Sequence, residues 1–241
     1  MPAIARRFPG YRTALARSAR HAAEAEVLLR ELAELDLAGA VSKNRLNCER
    51  LGDLPAPRAK NALRAFLRHF DVEPPSSARL SDMVHQLTTA RRDANVCIGL
   101  GQYSMRRFRD ELWVTPTFET PNEPVELLWQ GESELPVPAL GGILNFRRTA
   151  GEGVRISTIA RIVIRSRAGN PAFQPDCKRP HRSLKNLFQE AQIPPWQRNR
   201  LPLIYLDGAL VAVPGLGYAC EYQASSTQNG WSIEWHETTP V

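Results

Sequence analysis

The spacing of apolar residues changes once along this chain, near residue 95, and that change limits the folds open to it. Before it, apolar side chains return every three or four residues, as on one face of a helix. From Val96 onward they alternate in twos, as on one face of a strand. The pattern predicts an α+β protein: a helical region closed by a small β-meander, then a β-rich region with one main helix. A chain of 241 residues with 43% hydrophobic residues has enough apolar material for two modest cores.

The helical part divides into three. Residues Tyr11 to Leu37 read as one helix, with Leu15, Ala19, Ala22, Leu29 and Leu32 as its inward stripe and Leu28 and Leu35 as a further apolar edge. A second helix, about Pro57 to Phe70, turns Ala59, Leu63, Phe66, Leu67 and Phe70 inward and stacks Lys60, Arg64 and Arg68 on another face. That stack fits phosphate contact or, more simply, a solvated face. A third helix follows Ser76 or Ser77 as N-cap and runs to about Ala94. Strands then follow at Val96–Leu100, Tyr103–Phe108 and Leu112–Val114, with an Arg109-Asp110 turn before the last. Five prolines and many acids between 115 and 140 suggest a linker. Beyond it, strands are expected at 142–147, 159–165, 202–206, 209–213, 217–222 and 231–235, with a helix from His181 to Gln192. Asp207-Gly208 marks a hairpin. The domain reading is 1–118 (with 1–37 as connecting helices), a linker at 119–140, and 141–241.

Charge is segregated. The net +6 conceals a block at 147–185 with ten bases against Glu152 and Asp176, whereas 110–146 holds seven acids and no base. Arg outnumbers Lys 27 to 4, and its planar fork suits phosphate. Such a block fits a nucleic-acid surface, or a solvated face in an arginine-rich chain.

Several chemistries are excluded. No stretch approaches 18 apolar residues, and the start lacks the apolar core of a signal peptide. Cys48, Cys97, Cys177 and Cys220 show no paired spacing, so four reduced thiols in a cytoplasmic protein are expected. The histidines never come at metal-ligand spacing. Gly99-Leu100-Gly101 leads from strand to strand, so no helix start awaits a pyrophosphate. Asp176, His181 and Ser183 follow no known nucleophile pattern. The residues describe a binding module, with no catalytic and no metal-binding residue.

The most informative segment is Cys177-Lys178-Arg179-Pro180-His181-Arg182-Ser183-Leu184-Lys185-Asn186-Leu187-Phe188-Gln189-Glu190, a basic loop entering a helix. The free N–H groups of the helix start and the surrounding cations suggest a site completed by an anion. Leu184, Leu187, Phe188 and Ala191 form the buried face, and Trp196 is expected to anchor in a core.

The stretch Leu184-Lys185-Asn186-Leu187-Phe188-Gln189-Glu190, with Ile193-Pro194-Pro195-Trp196, Leu201-Pro202-Leu203-Ile204-Tyr205 and Val211-Ala212-Val213-Pro214-Gly215, resembles the terminal domain of the bacterial tRNA(Ile)-lysidine synthase family. Ala5-Arg6-Arg7-Phe8-Pro9, Ala16-Arg17-Ser18-Ala19, Leu63-Arg64 with Phe66-Leu67, and Arg106-Arg107-Phe108 with Leu112-Trp113 also have counterparts, in order. The resemblance therefore spans nearly the whole chain and is most specific over 183–216.

The family's members are ligases that use ATP to attach lysine to the wobble cytidine of the isoleucine tRNA with a CAU anticodon. Their catalytic domain carries a Ser-Gly-Gly-x-Asp-Ser loop, which this sequence lacks, so ATP and Mg are implied only for a domain outside this chain. The resemblance implies a cytoplasmic chain that positions tRNA and does not catalyse alone. The alternative is a stand-alone RNA-binding or adaptor protein. Whether it is a monomer or a homodimer stays open. The positions carried over for tRNA are Arg182 and Lys185, with Lys178 and Arg179 in the preceding, less closely matched loop; Arg64 and Arg68 join them as candidates from the helical region.

Overall fold

The computed structural model describes residues 8, 10–92, 94–117, 125–156, 161–167 and 169–238. The chain divides into two compact units, Met1–Thr117 and Phe118–Val241.

The first unit opens with α1 (Tyr11–Leu37). A short hairpin, β1 (Val41–Ser42) and β2 (Arg45–Asn47), leads into α2 (Cys48–Gly52). Then come α3 (Ala56–Arg68) and α4 (Ser77–Thr89). The meander β3 (Cys97–Leu100), β4 (Tyr103–Phe108) and β5 (Glu111–Pro116) joins the hairpin in one antiparallel sheet, in the order β1-β2-β5-β4-β3. Leu63, Phe66 and Leu67 of α3 meet Leu80, Met83 and Leu87 of α4 over Met105 and Leu112 of the sheet. Ser76 caps α4, accepting from the Arg79 amide, as its sequence position predicts.

Two features of this unit differ from expectation. The stripe foreseen on α1 does not face a core: Leu15 is 58% exposed, Leu29 47%, and only Ala33 is buried. A helix that meets one neighbour along part of its length can bury only a narrow strip. Here α3 holds it through the Asn61 side-chain amide on the Leu29 carbonyl at 2.5 Å and an Arg58–Asp36 ion pair. The third helix also stops at Thr89, short of Ala94. Arg107, 7% exposed on β4, closes its end by donating to the Leu87 and Ala90 carbonyls at 2.6 and 2.8 Å.

In the second unit, β6 (Glu126–Trp129) and β7 (Glu134–Val137) occupy much of the expected linker, which is thereby corrected. Both are edge strands, where Pro136 leaves no ladder bond unmade; flanking prolines and acids hid them. Further on lie β8 (Gly142–Ala150), β9 (Ile162–Arg165), β10 (Ala172–Phe173) and β11 (Arg182–Ser183). The helices α5 (Leu184–Glu190) and α6 (Pro195–Arg198) follow. The unit ends with β12 (Leu203–Leu206), β13 (Ala209–Val213), β14 (Gly217–Tyr218) and β15 (Asn229–Glu237). The strand expected at 217–222 is cut to two residues and a 3-10 turn at Cys220–Tyr222. Of the strand expected at 159–165, residues 159 and 160 lie outside the described residues.

Two antiparallel sheets, β14-β13-β12-β9-β6 and β15-β8-β7, share a core of Leu144, Phe146, Ile162, Ile164, Ile204 and Ile233. The alternation along β12 sends Ile204 and Leu206 into that core, and Leu203 to the opposite face, where α5 packs. Asp207 and Gly208 both take positive φ, 48° and 88°, as the two-residue hairpin between β12 and β13 requires.

The cysteine expectation is also corrected. Cys177 and Cys220 form a disulfide, their Cα atoms 5.2 Å apart, because the fold closes the separation of 43 positions in sequence. Cys97 is an exposed free thiol, and burial pushes the Cys48 thiol up to about 11.

Two measurements check this description. At about pH 8, an alkylating reagent is expected to modify Cys97 in the folded chain and Cys48 only after unfolding. Cys177 and Cys220 should react only once reduced; four labelled residues in the unfolded, unreduced chain would contradict the bridge. Arg107→Ala strips buried carbonyls of their donor and is expected to cost about 3 kcal/mol in urea unfolding. A loss well under 1 kcal/mol would show that water satisfies those carbonyls equally well.

Candidate nucleic-acid interface

The basic segment is built on a core and tied down at several points. Leu184, Leu187 and Phe188 of α5 are buried with Phe173, Leu201, Leu203 and Val213. Upstream, β10 pairs with β11, setting Phe173 opposite Arg182, so residues 174–181 form a loop closed at its base. The Cys220 amide donates to the Gln174 carbonyl at 2.8 Å, beside the disulfide. Within the loop, the Gln174 side chain donates to the Arg179 carbonyl at 2.6 Å, and Asp176 accepts from the Lys178 amide at 2.9 Å. Gln223 reaches the Pro175 carbonyl at 2.8 Å from outside it.

The helix itself starts later than His181, at Leu184, with Ser183 as its cap. This corrects the picture of an open helix start awaiting an anion. The Leu184 amide donates to the Pro171 carbonyl at 3.1 Å, the Lys185 amide to the Asn170 side chain at 2.8 Å, and the Asn186 amide to the Ser183 hydroxyl at 3.4 Å. With these donors engaged, anion binding falls to the side chains.

Those side chains divide into two kinds. Arg179 and Arg182 both donate to Glu190, the last residue of α5, at 2.7 and 2.5 Å through opposite carboxylate oxygens. The hydrogen bond from Arg179, and then the charge of Arg182, hold the Glu190 carboxyl below the usual range. Arg179 Nε also lies 3.6 Å from Asp176. Lys178 and Lys185 are exposed, and among the described residues no carboxylate lies within ion-pair distance of either ammonium group. Of the four terminal-unit candidates, two are thus held by acids and two are open to solvent. A shallow cavity of about 220 Å³ lies beside them, lined by Pro175, Arg179, Arg182, Leu187 and Glu190 among others.

Arg64 and Arg68 belong to the first unit, where they line a groove of about 830 Å³ between α1 and α3. Its walls are mainly apolar, with Ala22, Ala25, Leu29 and Ala33 among them. Arg68 lies 3.9 Å from Glu26, and Lys60 donates to the Ser77 hydroxyl at 3.4 Å. Trp196, the expected anchor, is half-buried. Sequence reasoning missed Glu190, Asn170 and the Cys177–Cys220 bridge, since each acts through a partner remote in sequence. Gly99 and Gly101 lie in and beside the β3–β4 hairpin, so this glycine pair leads from strand to strand. No group of three potential metal-ligating side chains exists among the described residues, and no helix there is long and apolar enough to cross a membrane.

The two units correspond to two known domains. Residues 46–113 match the TilS substrate binding domain, and residues 162–235 match the TilS substrate C-terminal domain. The chain belongs to the tRNA(Ile)-lysidine synthase family. A tRNA(Ile)-lysidine synthase from Nitrosomonas europaea is 37% identical over 238 residues, covering 98% of this chain and 52% of that protein. Those of Ralstonia nicotianae and Coxiella burnetii are 35% and 31% identical over 96% and 97% of the chain, again 52% of each. The chain spans about half the length of these curated relatives. A crystal structure of a TILS C-terminal domain aligns with 49% of the chain and all of its own, at 19% identity and a TM-score of 0.39.

Proposed function

We propose that this chain is the tRNA-holding portion of a tRNA(Ile)-lysidine synthase, and that its terminal unit grips RNA phosphates through the loop and helix at 174–190. The observation carrying this reading is the pair of exposed lysines, Lys178 and Lys185, flanking Arg179 and Arg182 on a loop anchored to a core. Duplex RNA offers proteins its backbone and its shape more than its base edges, so fixed cations on a rigid support suit it. The family membership supports tRNA as the RNA. In this reading the substrate is the isoleucine tRNA with a CAU anticodon. ATP, Mg and lysine are handled by a domain outside this chain, and Arg64 and Arg68 contribute from the first unit.

Binding of tRNA is expected to weaken steeply as salt rises, since each phosphate contact releases counterions. Lys178→Ala with Lys185→Ala is expected to weaken binding uniformly across RNA sequences and to flatten the salt dependence by about 2 in log–log slope, leaving thermal unfolding unchanged. Unaltered affinity and slope would place the tRNA elsewhere.

A further inference from the structure

We infer that Glu190 is a built-in phosphate mimic: in the free protein its carboxylate occupies Arg179 and Arg182, and an RNA phosphodiester displaces it on binding. This rests on the proposed tRNA-holding role of the loop and assigns to that site a residue that restrains binding.

The geometry has the form of an occupied anion site. One carboxylate spans two guanidinium groups, each oxygen taking an Nη1 proton, as two non-bridging phosphate oxygens would. Glu190 gains nothing from its own helix, because an acid at a helix C-terminus meets the negative end of the dipole. It is held there by the arginines. The three side chains remain accessible, at 60%, 38% and 45% exposure for Arg179, Arg182 and Glu190, so a phosphate can approach from solvent. The cavity beside them leaves room for it. Exposed ion pairs are weak, so displacement is cheap for a ligand that also engages Lys178 and Lys185. A lone stray anion lacks that second attachment. Glu190 thereby favours an extended polyanion, which can engage cations beyond the two arginines, over isolated phosphates.

The test compares the full chain with Glu190→Gln and Glu190→Asp, using tRNA and inorganic phosphate as separate ligands and varying salt. Glu190→Gln is expected to tighten tRNA binding about threefold or more. Its log–log salt slope should steepen by about 1, since one more cation becomes free to release a counterion. Inorganic phosphate should become a measurable competitor for Glu190→Gln and not for the parent. Glu190→Asp, a shorter acid, should fall between the two. Weaker tRNA binding by Glu190→Gln would make the carboxylate a brace that organises the arginines and overturn the proposal. So would unchanged affinity and slope. Arg179→Ala with Arg182→Ala separates the two levels: if that pair and the lysine pair both leave tRNA binding intact, the loop is not the tRNA site. If they weaken it and Glu190→Gln does not tighten it, only the mimic is wrong.

Discussion

The packing of one short helix governs the proposed interface. Leu184, Leu187 and Phe188 are buried against Leu203 and Val213, each apolar side chain contributing about 1.5–3 kcal/mol. Seven residues are too few to hold a helix in water without such support. Once seated, that helix fixes Lys185 near its start and Glu190 at its end. The β10–β11 pair and the Cys177–Cys220 bridge then fix the loop that carries Lys178, Arg179 and Arg182. Without the apolar face, none of these charges has a defined place.

Charge is what the packing delivers to the surface, and its distribution matters more than its total. The block at 147–185 holds ten bases, but many are engaged within the fold. Arg147 lies 3.7 Å from Glu234, Arg165 donates to Glu126 at 3.0 Å, and Arg179 and Arg182 converge on Glu190. Acids remote in sequence absorb much of the field that a residue count suggests. Among the described residues neither Lys178 nor Lys185 has a carboxylate on its ammonium group, and each stands in the same segment as the paired arginines, an arrangement suited to capturing a phosphate chain first and rearranging afterwards.

Much of this was legible in the sequence where local rules decide. The switch of period near Val96, the Ser76 cap, the Asp207-Gly208 hairpin and the buried face of α5 all follow from neighbours in the chain. The α1 stripe misled because periodicity shows that a helix has an apolar face and not that anything covers it. The strands at 126–137 were masked because edge strands tolerate the proline and acids that mark loops elsewhere. At the site, the cations could be read from composition and resemblance. Their pairing with Glu190, the closure of the helix start by Asn170 and Pro171, and the cysteine bridge depend on tertiary approach, which no local pattern encodes.

The chain has four lysines, which makes its central claim directly measurable. Acylation of Lys43, Lys60, Lys178 and Lys185 can be followed residue by residue by mass spectrometry, with and without saturating tRNA. The account predicts that tRNA shields Lys178 and Lys185, while Lys43, exposed in the β1–β2 turn, keeps its reactivity. Equal reactivity of Lys178 and Lys185 in the free and bound states would contradict it.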